Sequence, residues 1–187
     1  MDKISILINH LKQKTPFCFL KMNDGEINAL FDSNASLSRG LDKSSKEMSK
    51  KLHEIMIHKQ DNYYIGIPCQ ECHPILYTKI QKYIESKEKS SIFPANILIN
   101  SNINISTKCF HTCFEDDRKK FIVCNKNMAN NLNNVKNIGI HIDEVFIVSD
   151  KFAFQNDYEY IKNKINDIPN ESVLFMCCGP LGRILCK

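Results

Sequence analysis

Phe17-Cys18-Phe19-Leu20-Lys21-Met22-Asn23-Asp24-Gly25-Glu26 is an apolar run that ends in two carboxylates on either side of a glycine. The apolar residues bounded by turn formers predict a buried strand, and Asn23-Asp24-Gly25 predicts the turn at its carboxyl end. Acidic side chains are thereby placed at a strand end, which is where open α/β sheets bind their ligands. Gly25 lacks the side chain that would keep a ligand from the backbone, and the oxygens of Asp24 and Glu26 suit a hard cation or ribose hydroxyls. An Asp-Gly turn opening a helix over Ile27-Asn28-Ala29-Leu30-Phe31 explains the same residues without a ligand.

Working outward, Ile4, Leu7, Ile8 and Leu11 have helical spacing, and Thr15-Pro16 stops that helix before the strand. Ser36 to Ser45 is polar and predicts a loop carrying Arg39-Gly40. Ser45 to His58 predicts an amphipathic helix, with Met48, Leu52, Ile55 and Met56 on one stripe. Tyr63 to Ile67 predicts a second strand, closed by Gly66-Ile67-Pro68, and Ile75 to Ser86 a helix. Further strands are predicted at Ile97 to Ile99, Phe121 to Cys124, Glu144 to Val148 and Ser172 to Cys177. Helices are predicted at Met128 to Val135 and around Tyr160, Ile161, Ile165 and Ile168, and a helix start follows Cys178-Gly179-Pro180.

Strands alternating with helices predict a three-layer α/β fold, Rossmann-like in the broad sense, with a mostly parallel sheet and helices on both faces. At 187 residues and 43% hydrophobic, the chain is the size of one domain, residues 1–187, with a real core. No Gly-x-Gly-x-x-Gly motif and no Ser-His-Asp order is legible.

The net charge of +4 is spread over lysines interleaved with acids, as in Lys43 to Lys59, so no nucleic-acid partner is expected. No apolar run reaches the roughly 18 to 20 residues of a membrane span, and the start lacks a secretory core, so the expectation is a cytoplasmic chain. Nine scattered cysteines fit reduced, mostly buried hydrophobes better than a disulfide framework. Cys69 and Cys72 have a zinc-like gap, but Cys109, His111 and Cys113 match no paired-knuckle spacing, so no structural zinc is expected.

Phe19 to Leu30 resembles the signature of the GT-D-type glycosyltransferases, an apolar strand, then Arg-aromatic-Gly-Asp-Gly-Glu, then a helix. Asp24, Gly25 and Glu26 match it, while Lys21, Met22 and Asn23 stand where that family has arginine, an aromatic and glycine. Tyr63 to Pro68 is similar to the family's second strand with its Gly-Ile-Pro exit, and Cys178-Gly179-Pro180 to its late Gly-Pro. The resemblance implies transfer of a hexose from a nucleotide diphosphate sugar to a hydroxyl on a glycan or glycoprotein acceptor. It assigns Mn²⁺ or Mg²⁺ to Asp24 and Glu26, which are also the implied catalytic pair. It places Lys21, Asn23, Gly25, Arg39, Gly66, Pro68, Lys151, Gly179 and Arg183 around the donor. The family continues past this last helix, so the expectation here is a shortened C-terminus whose strand edge is covered by Ile4 to Leu11 or by a homo-oligomer. A shortened relative that binds sugar nucleotide without turnover is the alternative.

Overall fold

A computed structural model describes residues 3–37, 42–71, 73–85, 91–95, 112–115, 117–136 and 141–187. Helix α1 is Lys3–Lys12, strand β1 Cys18–Lys21 and helix α2 Asp24–Phe31. A short antiparallel pair follows, β2 Ser36–Leu37 and β3 Asp42–Lys43, where the sequence predicts only a loop. Then come α3 Lys46–Met56, β4 Tyr63–Ile67, α4 Pro74–Glu85 and β5 Ser91–Pro94. The second half holds β6 Lys120–Asn125, α5 Lys126–Lys136, β7 Glu144–Val148, α6 Ala153–Asn166, β8 Val173–Cys177 and α7 Pro180–Leu185.

The architecture is α/β, and its strands form two parallel three-stranded sheets, ordered β1-β4-β5 and β7-β6-β8. In the first, Lys21 lies opposite Gly66, and Gly66 opposite Phe93. In the second, Phe121 lies between Glu144 and Leu174. β4 and most of β6 are buried, as central strands of parallel sheets require. β5 was not expected from the sequence, because Pro94 argues against a strand. Among the described strands it is the outer one of its sheet, a position where a missing N–H is tolerated. The strand expected at Ile97 to Ile99 lies outside the described residues.

Helix α3 forms as its pattern predicts. Ser45 accepts the Met48 N–H on its hydroxyl oxygen at 3.1 Å, capping the helix, and Met48, Leu52, Ile55 and Met56 are buried. The final helix is short, yet Leu181 and Ile184 are buried in the core shared with α3 and α6. It therefore packs back on the fold, while the residues of β8 itself stay partly exposed.

The free edges of β1 and β8 face each other across a cleft of about 510 Å³. Cys18 and Met22 donate their N–H groups to Asn62 and Gly66 at 2.9 and 2.8 Å, so Phe19 and Lys21 turn their backbone groups away from β4. Val173 donates to Lys119 at 2.8 Å, so Leu174 and Met176 turn theirs away from β6. Phe19, Leu174 and Met176 line the cleft, and α1 contributes Leu7 and Leu11 to its wall. The buried residues of α1 pack with Phe17, Tyr64 and Phe93 rather than with β8, and no strand of the described residues closes the gap.

Candidate functional site

Arg183 crosses that gap at the carboxyl ends of the two strands. Its Nε–H donates to the Lys21 carbonyl at 2.6 Å, and Nη1 to the Met176 carbonyl at 3.3 Å. Nη2 stands 3.5 Å from Glu26 Oε1. All three guanidinium nitrogens are thereby engaged, and the side chain is only 13% exposed. A planar fork with fixed donors is the one side chain that satisfies two edge carbonyls and a carboxylate together. The backbone at the base of the helix allows it: Gly182 faces Met176 and Cys178 so closely that a Cβ there would stand 2.9 and 3.0 Å from their side chains.

Asn23 is the N-cap of α2, and its N–H donates to Glu26 Oε2 at 3.1 Å. Glu26 is 4% exposed. One of its oxygens faces the cap and the other faces Arg183, so its charge is neutralised inside the fold. Asp24 is exposed at the first position of the same helix. The helix begins at Asp24 rather than after Glu26, which puts the two carboxylates two residues apart on a helix, where side chains do not face each other. The residues therefore do not fit a cation held by Asp24 and Glu26 jointly. Asp24 alone remains open to one. Among the described residues, no group of three or more His, Cys, Asp or Glu side chains is arranged to hold a metal ion.

Lys21 ends β1 beside this pair. Burial, then the neighbouring Arg183 charge, hold its ammonium below the ordinary lysine range, against the opposing pull of Glu26. No hydrogen bond from its Nζ is found among the described residues. A half-buried cation in that state gains from an anionic partner.

The remaining expected site residues separate. Gly66 is a packing position: a Cβ would meet Phe19 Cζ at 2.9 Å and the Ala95 backbone at 3.0 Å, so no ligand occupies that space. Pro68 is buried beyond β4. Gly25 has open space, with Leu37 Cδ2 nearest at 3.9 Å. Gly179 adopts φ 59°, ψ −139° with nothing within 4 Å of its missing Cβ, so glycine is required there by conformation alone. Lys151 is exposed after β7, the far strand of the second sheet. At about 4.8 Å per strand it stands some 10 Å or more from β8, away from Lys21. Arg39, Cys72, Cys109 and His111 lie outside the described residues. Cys69 follows β4, whereas Cys113 lines the cleft.

Sequence reasoning missed the role of Arg183 as a bridge between strands. No local pattern carries it, because the Lys21 carbonyl and the Glu26 carboxylate that it joins to Met176 lie near the other end of the chain. No protein-family model matches the chain, and comparison with curated proteins and with solved structures found no match. Among the described residues, no helix is long and apolar enough to cross a membrane.

Proposed function

We propose that the chain binds a nucleotide diphosphate sugar at the carboxyl ends of β1 and β8 and transfers its hexose to a hydroxyl on a glycan or glycoprotein acceptor. The observation that carries the reading is Lys21, a half-buried ammonium pushed down by burial and by Arg183, at the end of the strand whose following helix opens with the exposed carboxylate of Asp24. A diphosphate supplies the missing anion. Taken as one Rossmann-like sheet in the order β5-β4-β1-β8-β6-β7, the boundary between β1 and β8 is where the strand order reverses, the usual ligand crevice of open α/β sheets.

Mg²⁺ is commonly held by one or two carboxylates together with substrate phosphates, so Asp24 fits as a single protein ligand for Mn²⁺ or Mg²⁺ shared with the donor. Such a cation offsets the charge of the departing nucleotide diphosphate. Lys21 adds a second positive charge at the same oxygens. Glu26 and Arg183 act one step back, by fixing the end of β1 and the start of α2 that present Lys21 and Asp24. Arg183 is thus a positioning residue in this reading rather than a donor ligand.

The commitment of Glu26 to its ion pair favours a second reading, binding without turnover, because it leaves one free carboxylate where the resemblance implies two. Incubation with UDP-glucose and Mn²⁺, followed by measurement of UDP released, separates the two. Metal-dependent release lost in Asp24→Ala and Lys21→Met supports transfer, and saturable binding without release supports the second reading. Neither binding nor release contradicts both.

A further inference from the structure

Two cysteines from opposite ends of the chain meet beside the cleft. Cys18 opens β1, and Cys186 follows α7. Both are partly exposed and line the cleft, as do the exposed Lys14, Glu171 and Lys187 at its mouth, so small molecules in solvent can reach it. The Cys18 thiol donates to the Cys186 carbonyl at 3.7 Å, so the side chain of one cysteine reaches the other residue at the wall of the same cleft. Tyr63 lies opposite Cys18 in the β1–β4 register, and its hydroxyl is buried without a hydrogen-bond partner among the described residues. A buried hydroxyl left unpaired is costly.

We propose that Cys18 and Cys186 form a reversible dithiol–disulfide pair, a modification site that ties the first strand to the last helix. The roles of the two sulfurs differ. The neighbouring Cys18 side chain and the Arg183 charge hold the Cys186 thiol below its ordinary range, against the opposing effect of burial. Its interaction with Cys186, followed by burial, pushes the Cys18 thiol up. Cys186 is therefore the attacking thiolate and Cys18 the resolving thiol.

With a small-molecule disulfide as oxidant, the Cys186 thiolate attacks one of its sulfurs and expels one small thiolate, leaving a mixed disulfide on Cys186. The Cys18 sulfur then attacks the Cys186 sulfur, and the second small thiol leaves with the Cys18 proton. One small disulfide is reduced to two thiols while two protein thiols are oxidised to one disulfide. The cross-link fastens α7, and with it the Arg183 bridge, to β1. The resting state stays reduced.

The test exposes the native full chain to glutathione disulfide, blocks remaining thiols with an alkylating reagent and maps the peptides by mass spectrometry. The expected product joins the peptides holding Cys18 and Cys186 and is reversed by dithiothreitol. Cys18→Ser is expected to trap glutathione on Cys186, and Cys186→Ser to leave Cys18 unmodified. Both thiols recovered as alkylated cysteine would overturn the proposal. So would linkage of either to Cys113 or Cys178, or a trap on Cys18 rather than Cys186. If a serine variant does not fold, the map of the unaltered chain still decides the matter.

Discussion

Arg183 donates its Nε–H to the carbonyl of Lys21 across 2.6 Å, joining residues 162 positions apart in the chain. The contact holds the carboxyl end of β1 against the helix that follows β8, and the same guanidinium neutralises the buried Glu26. With the core shared by α3, α6 and α7, it ties the two three-stranded sheets across their facing edges.

Arg183→Ala leaves a buried carboxylate without its cation and two edge carbonyls without a donor. Breaking a buried pair from one side costs about 3–5 kcal/mol, so urea denaturation should show a loss of that order. Arg183→Lys should recover only part of it, since an ammonium cannot reproduce the fork. A loss within about 1 kcal/mol for the alanine variant would mean that Glu26 is satisfied in another way.

Gly25 and Gly66 are predicted to respond in opposite directions. Gly25→Ala has room for its methyl and removes backbone freedom in a helix, so a gain of roughly 0.5–1 kcal/mol is expected. Gly66→Ala drives a methyl against Phe19 and the Ala95 backbone and should cost about 1–3 kcal/mol. Thermal melts of the two variants check both signs. A neutral Gly66→Ala would show that the sheet relaxes there.

Lys21 is predicted to trade stability for binding. Its folded pKa is lowered, by burial first and then by Arg183, so between that value and the ordinary lysine value the unfolded chain holds more protons. The contribution of Lys21 to stability therefore rises with pH through that alkaline window and is unfavourable below it. At neutral pH, Lys21→Met should raise the melting temperature. It should also weaken binding of a nucleotide diphosphate by about 10-fold or more, the loss of one charge-assisted contact. A lower melting temperature would show that the ammonium is well solvated in the fold.

Much of the fold was legible because it rests on local pattern. β4 and β7 occupy Tyr63–Ile67 and Glu144–Val148 as the apolar runs predict, and α3 starts at its serine cap. β5 was hidden by Pro94, whose tolerance depends on lying at a sheet edge, and the β2–β3 pair by its two-residue strands. The end of β1 at Lys21 and the helix start at Asp24 were legible as structure, but the buried Glu26 differs from the exposed Asp24 through Arg183 and the capping of Asn23. Periodicity cannot reveal a partner so distant in the chain. Gly66 invites a ligand by its position before Pro68, and only the packing of Phe19 and Ala95 shows otherwise.

Lys21 and Asp24 are proposed to form one site for a nucleotide diphosphate sugar and its cation, and calorimetric titration of UDP-glucose tests this. With Mn²⁺ or Mg²⁺ present, saturable binding to the native chain is predicted. EDTA should weaken it, and in Asp24→Ala the metal should no longer matter. Equal affinity with and without EDTA, or an Asp24→Ala variant as metal-dependent as the native chain, would contradict the account.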